Sequence, residues 1–311
     1  MIARRLRGDD KGQQLLDVGR SQELLEQVFP KDRRYRDLAY LRWQYMHGPS
    51  GLAITADRDD PSGRVGHYAI VPQRWICSGE PALFALSLNT AVAERARGQG
   101  LFTVLAKETY KGAADQGVEA VVGVANGNST PGFVRHLGFR NLGPLPVVIL
   151  PARPTRKNPT VINSDQLLSD SIFMSQDGHL DSRRYWDTDE LRWRLNAPNE
   201  AFVVVRSEDA LVVACSTKVA GIKFAVILKV FAEPSSAPVD AGAVVAQVCR
   251  AVHAPFAVYA GFNPHFQLSG IPVPMRFRTS PLNLILRSVN DARNVEEFLP
   301  NCFEFLDFDA Y

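Results

Sequence analysis

Arg95-Ala96-Arg97-Gly98-Gln99-Gly100-Leu101 is the stretch of this sequence whose residue types point most directly to chemistry. Two guanidinium groups bring full positive charge, and two glycines one residue apart let the backbone approach a ligand closely. An apolar strand pattern at 83–92 precedes the stretch. Leu101, Val104, Leu105, Glu108 and Ala113 recur after it at helical spacing. The loop therefore opens a helix, where unpaired N–H groups and the helix dipole favour an anion, and a pyrophosphate is the natural guest. Two familiar phosphate loops fail. A P-loop needs Lys-Ser/Thr after its last glycine, and a dinucleotide loop needs a third glycine; both are missing. A plain tight turn is the bland alternative, and the arginines weigh against it.

The elements around this loop follow from periodicity. Helices are expected at 21–28 and 36–47, strands at 52–56, 65–77 and 83–92, and a turn at Asp57–Gly63, DRDDPSG. The helix at 101–116 closes at Gly117. A fully apolar strand at 118–124, a short helix at 129–137 ended by Gly138 and a strand at 145–150 complete the first half. Then comes Pro151-Ala152-Arg153-Pro154-Thr155-Arg156-Lys157-Asn158-Pro159, which reads as a stiff linker.

Across that linker the sequence repeats itself. Leu41-Arg42-Trp43 recurs as Leu191-Arg192-Trp193, each copy followed by a proline (Pro49, Pro198) and an apolar strand. Phe84–Leu88 has a counterpart in Phe224–Leu228, the helix at 101–116 in 239–252, the strand at 118–124 in 255–260, and the strand at 145–150 in 282–287. Trp43 and Trp193 read as equivalent packing anchors. The second copy has Pro234-Ser235-Ser236-Ala237-Pro238 where the first has its arginines and glycines, so an anion held there belongs to the first half alone.

The chain has 311 residues, 46% hydrophobic and 22% charged, and a net charge of +2. That composition suits a globular protein of about two domains, and the charge balance gives no footing to nucleic acid as a partner. No apolar run approaches the roughly 20 residues that span a bilayer, so a soluble, cytoplasmic protein without a membrane partner is expected. Cys77, Cys215, Cys249 and Cys302 are too scattered for a metal site, and the first three read as buried thiols.

The run from Arg95 to Gly100 resembles the Q/R-x-x-G-x-G/A motif of the GNAT acetyltransferase superfamily. The order of elements over roughly 35–150 is similar to that family, as is the closing Leu137-Gly138-Phe139. With its second copy, the chain resembles tandem-GNAT proteins, some of which N-acylate nucleotide-linked amino sugars. The resemblance implies an α/β fold with mixed sheets, built as two tandem GNAT-like domains: an acyl-CoA-binding domain at 1–150, a linker at 151–180 and a degenerate domain at 181–311 that contributes to the acceptor pocket. It implies acetyl-CoA or another acyl-CoA as co-substrate and a small-molecule amine as acceptor. Arg95, Arg97, Gly98, Gln99, Gly100 and Leu101 would hold the pyrophosphate. The backbone of Leu88, Thr90, Ala91 and Val92 would pair with the pantetheine, with an N–H near Thr90 to Val92 polarising the thioester carbonyl. Asn126 and Phe133 would line the far side of a V-shaped split between strands.

The sequence departs from the family in two places. Val134 stands where many members have an acidic tyrosine, and the strand at 83–92 carries no carboxylate base. His67 is the candidate base because imidazole titrates near neutral pH; a buried, hydrogen-bonded imidazole is the alternative. Asn89 either orients substrate or is satisfied by a neighbour. The basic run Lys31, Arg33, Arg34, Arg36 reads as a solvated face. The missing groups leave a second reading open, a tandem-GNAT protein that binds CoA or a partner without turnover. The oligomeric state is not legible.

Overall fold

Aspartates punctuate the start of the chain. In the computed structural model, which describes residues 8–156, 158–163, 166–168, 180–232, 239–290, 295 and 297–309, helices α1 (Gly8–Val28) and α2 (Leu38–Met46) are separated by a 3-10 turn at Arg33–Arg36. Asp32 caps that turn by accepting from the Arg34 N–H, and Asp37 caps α2 by accepting from the Ala39 N–H. Strands β1 (Ile54–Asp60), β2 (Gly63–Cys77) and β3 (Glu80–Val92) form an antiparallel meander. The turn expected at 57–63 is narrower than its composition suggested, because β1 stays paired to β2 as far as Asp60. Helix α3 (Leu101–Asp115), β4 (Ala120–Ala125), α4 (Thr130–Leu137), β5 (Arg140–Pro144) and β6 (Val147–Pro151) follow.

The second half adds β7 (Thr160–Ile162), β8 (Arg183–Arg184), α5 (Thr188–Leu195), β9 (Val203–Arg206), β10 (Ala210–Val219), β11 (Ile222–Ala232), α6 (Ala241–Ala251), β12 (Phe256–Phe262), β13 (Ile271–Pro272), β14 (Asn283–Ser288) and β15 (Phe303–Glu304). Two mixed sheets result. The first runs β1-β2-β3-β4-β14-β5, with β8 also on β2; the second runs β7-β9-β10-β11-β12-β6-β13, with β15 also on β12. From β9 to β13 the second sheet repeats the order of the first, including a parallel ladder in each, β3/β4 and β11/β12.

The two strands matched in sequence, 145–150 and 282–287, are exchanged. β6 lies in the second sheet between β12 and β13, and β14 lies in the first between β4 and β5. The boundary expected near residue 150 therefore falls inside a strand of the second sheet. The expected linker also includes β7, which extends that sheet by pairing with β9. Residues 169–179 of that linker lie outside the described residues.

Period-two alternation sorts the side chains. Leu86 and Val122 of the first sheet and Val226 and Leu228 of the second point into one core between the sheets. Ala85 and Val121 point outward under α3 and α4, and Ala225 and Ala257 under α6. Trp43 and Trp193 stack at 4.5 Å, tilted by 17°. Trp43 Nε1 donates to the Trp193 carbonyl at 3.0 Å, and Trp193 Nε1 donates to the Trp43 carbonyl at 3.4 Å. That reciprocity is what a two-fold relation between copies gives. All four cysteines are buried and none forms a disulfide. No helix of the described residues is long and apolar enough to cross a membrane.

Candidate functional site

The parallel ladder between β3 and β4 pairs Phe84, Ala85 and Leu86 with Ala120, Val121 and Val122, and stops there. Both strands run on, so they diverge. A β-bulge adds to the divergence: Leu88 pairs with Ala69 and Ala91 with His67, which leaves Asn89 and Thr90 opposite Tyr68 alone. Asn89 takes a left-handed conformation (φ 46°) to make the bulge. A cavity of about 580 Å³ fills the wedge. Ser87, Leu88, Asn89 and Thr90 form one wall, and Gly123, Val124, Ala125 and Asn126 the other. Phe133 of α4, Tyr35, Tyr40 and Gln44 from the N-terminal elements, and Ser280 and Asp309 from the second half are among the other lining residues. Of the residues expected here, Leu88, Asn89, Thr90, Asn126 and Phe133 do line it, whereas Ala91 is buried against α1 and α2 and Val92 lies beyond the cavity.

The glycine loop follows β3 directly. Gly98 (φ 78°) and Gly100 (φ 71°) are both left-handed, a conformation that only glycine adopts without strain. Gly100 is the N-cap of α3 and no side chain caps the helix, so no side chain competes with a ligand for the N–H groups of Leu101 and Phe102, while the Thr103 N–H donates to the Gly100 carbonyl at 3.0 Å. Arg97, Gly98, Gln99 and Gly100 are exposed, while Leu101 is half-buried and packs into the core. Arg97 and Arg95 border a second cavity of about 530 Å³ beside α1. Arg95 is already engaged, through a two-pronged ion pair with Asp60 at 2.9 and 3.1 Å.

His67 is 0% exposed and stands behind the cleft wall rather than in it. Its Nδ1 lies 2.7 Å from Asp57 Oδ1, and its Nε2 lies 2.8 Å from Tyr45 Oη. Burial pushes the Tyr45 hydroxyl well above its usual range, so it stays protonated between His67 Nε2 and Asn89. Tyr45 Oη in turn accepts from Asn89 Nδ2 at 2.9 Å. Asn89 Nδ2 also donates to Gln44 Oε1 at 2.7 Å, and Asn89 Oδ1 accepts from Tyr35 at 2.7 Å. The geometry thus corrects the expectation of a cleft-facing base. His67 holds Tyr45, Tyr45 holds Asn89, and the chain Asp57–His67–Tyr45–Asn89 ends at the bulge. Asn126 likewise spends its side chain on the turn before α4, where Oδ1 accepts from the Asn128 and Ser129 N–H groups at 2.9 Å.

Several lining residues carried no signal in the sequence. Arg34, expected as part of a solvated basic face, is half-buried at the cleft and paired with Asp32 at 2.7 Å; Lys31, Arg33 and Arg36 are exposed as expected. Burial acts to raise the Asp32 carboxyl, but the hydrogen bond and charge of Arg34 outweigh it and hold Asp32 below its ordinary range. Asp309 reaches the cleft from the far end of the chain. Its Oδ1 meets Arg194 at 2.7 Å, and its Oδ2 accepts from Tyr40 at 3.1 Å and from Gln44. Only folding brings Asp309 beside residues 275 positions earlier, as in the Arg34 bond to its carbonyl at 3.1 Å.

The second sheet has the same wedge, and its own chain fills it. The β11/β12 ladder ends at Ile227/Tyr259, and β15 then pairs Glu304 and Phe303 with Gly261 and Phe262. Glu304 Oε1 accepts from the Val230 N–H at 3.3 Å, and Lys229 Nζ meets Glu304 at 3.0 Å and Asp307 at 2.8 Å. All three charged groups are buried. A side chain at Gly261 would sit 2.1 Å from the Phe303 carbonyl, so the closure depends on glycine there. The helix after this wedge, α6, is capped by an acid: Asp240 accepts from the Ala243 N–H at 3.1 Å.

No family model matches the sequence, and no curated protein matches it. Solved structures do match by shape. A GCN5-related N-acetyltransferase from Anabaena variabilis ATCC 29413 superposes with a TM-score of 0.64 over 88% of this chain and 71% of its own, at 13% identity. The fold is that of the GCN5-related N-acetyltransferases. A GCN5-related N-acetyltransferase from Kribbella flavida gives 0.59, covering 88% of this chain and 69% of its own, and Eis1 from Mycobacterium abscessus gives 0.54, covering 88% and 72%; each is 13% identical. At that identity the GNAT likeness speaks for the architecture, two mixed sheets with flanking helices.

Proposed function

We propose that the protein is an acyl-CoA-dependent N-acyltransferase that moves an acyl group, in the first instance acetyl, from a CoA thioester to a primary amine of a small molecule. A nucleotide-linked amino sugar is one acceptor class in keeping with the resemblance. One observation carries the reading: an open wedge between two diverging strands leads to an uncapped helix N-terminus with two left-handed glycines. Diphosphate oxygens suit the N–H groups of Gly98 to Leu101 and the charge of Arg97. A pantetheine arm suits the released edge of β3 at Leu88 and Thr90, where the bulge also frees N–H groups to polarise the carbonyl. The amine attacks that carbonyl, the thiolate leaves, and the amine proton passes to water. Positioning within the cleft supplies much of the rate gain.

Calorimetric titration with acetyl-CoA and detection of free thiol across a panel of amines test this. Binding with thiol release on adding an amine supports it; no binding at millimolar acetyl-CoA overturns it. The absence of a tyrosine at position 134 favours a second reading, a protein that binds CoA without turnover. That reading predicts binding with no thiol release from any amine.

A further inference from the structure

Ser280 stands on the lining of the cleft. That residue also borders a cavity of about 370 Å³ that runs along the inner face of the second sheet. Alternation places Val147 and Ile149 of β6, Phe224 of β11 and Val258 of β12 on that face, and Val273 and Phe277 wall the groove from the segment between β13 and β14. Its one guanidinium is already committed: Arg278 donates to the Val273 and Leu145 carbonyls, each at 2.8 Å. The groove therefore offers mostly apolar surface, with the held Arg278 and the hydroxyls of Thr217, Thr279 and Ser280 as the polar part of its lining. Large apolar side chains also stand at its rim, where the Arg276 guanidinium lies 4.9 Å over the Phe277 ring. Phe277 is 69% exposed and Val219 58%, and Ile222, paired with Val219 across the β10–β11 turn, is exposed beside it. Large hydrophobic side chains gathered at the mouth of a groove mark a binding surface.

We infer that the substrate of this site carries an aliphatic chain, which passes Ser280 and lies in the groove while the reacting group stays in the polar cleft. The inference rests on the acyltransferase reading for which substrate that is. A chain there has two sources, the acyl group of the thioester or the tail of the acceptor amine, and both present the same methylenes to Phe224, Val258 and Phe277. Each methylene buried favours the bound chain by about fourfold, so even partial burial of a long chain is readable.

Thiol release is measured in two arms: octanoyl-CoA against acetyl-CoA with one short amine, and octylamine against ethylamine with acetyl-CoA. The expected result is a gain of about tenfold or more in kcat/KM for the long chain in one arm, which also names the source, with Phe277→Glu bringing the ratio near one. Equal rates in both arms, with CoA bound and turned over, overturn this inference and leave the acyltransferase reading standing. If CoA does not bind at all, that reading falls, and the groove is read alone by the fluorescence of cis-parinaric acid. Binding lost in Phe277→Glu supports the chain site, and no binding overturns it. A dimer abolished by Phe277→Glu without any chain preference also overturns it, because a second copy then covers the patch.

Discussion

Two wedges of the same design have opposite fates in this molecule. Between β3 and β4 the wedge is open, floored by a polar bulge at Asn89 and followed by a helix with no cap. Between β11 and β12 it is occupied by β15 and a buried Lys229–Glu304–Asp307 cluster, the bulge residue is Leu228, and the next helix is capped by Asp240. The difference teaches two ways of meeting the same need where paired strands part. Diverging strands leave backbone N–H and C=O groups that need partners. A ligand supplies them in the first sheet, on the proposed reading, and the chain's own last strand supplies them in the second.

The closure is the easiest part to break. Lys229→Met leaves Glu304 and Asp307 buried without their cation, and an expected loss of about 3–5 kcal/mol shows in urea unfolding. Proton linkage at the same cluster gives the next effect. Burial raises the Glu304 carboxyl from an ordinary 4.5 to about 7, against the pull of Lys229. Between those values the folded state holds a proton that the unfolded state has lost, so this group makes stability fall as pH rises through the window. The slope is at most about 1.4 kcal/mol per pH unit, and Glu304→Gln removes that slope in unfolding curves taken from pH 4.5 to 7.

Making the open wedge resemble the closed one sharpens the contrast. Asn89→Leu places the second sheet's bulge residue in the first and strands the hydrogen bonds of Tyr35, Gln44 and Tyr45. About 1–3 kcal/mol of stability is lost, and turnover falls by more than CoA affinity does. If turnover is unchanged, the chain from Asp57 to Asn89 does not position the reaction. The smallest effect comes from the caps. Gly100→Asp puts on α3 the acid that caps α6, and CoA affinity weakens about tenfold in calorimetry. Asp240→Gly, its mirror image, creates no CoA binding, because the wedge beside α6 stays filled.

Much of the first sheet was legible because its signals are local. The strands at 65–77 and 83–92 and the helix at 101–116 announced themselves by periodicity, and Gly98 and Gly100 by the conformations they permit. The sequence words that repeat across the linker were legible too, and the two sheets share a strand order from β9 to β13. What stayed hidden depends on distance along the chain. Nothing in 145–150 or 282–287 states which sheet each strand enters, since both sheets offer the same apolar pairing edge. Asp309 and Ser280 reach the cleft only through tertiary structure, and Arg34 looked solvated because its acid, Asp32, could as well have been a plain helix-start residue. His67 was found, but the sequence could not show that Tyr45 stands between it and the cleft.

The crossing of β6 and β14 also orders events in time. The first sheet lacks an inner strand until residue 288 has left the ribosome, so a nascent chain that has delivered its whole glycine loop still cannot close the layer beneath it. Neither half is a unit that synthesis can finish and set aside, and a gene cut at the linker yields two fragments, each carrying the strand that the other needs.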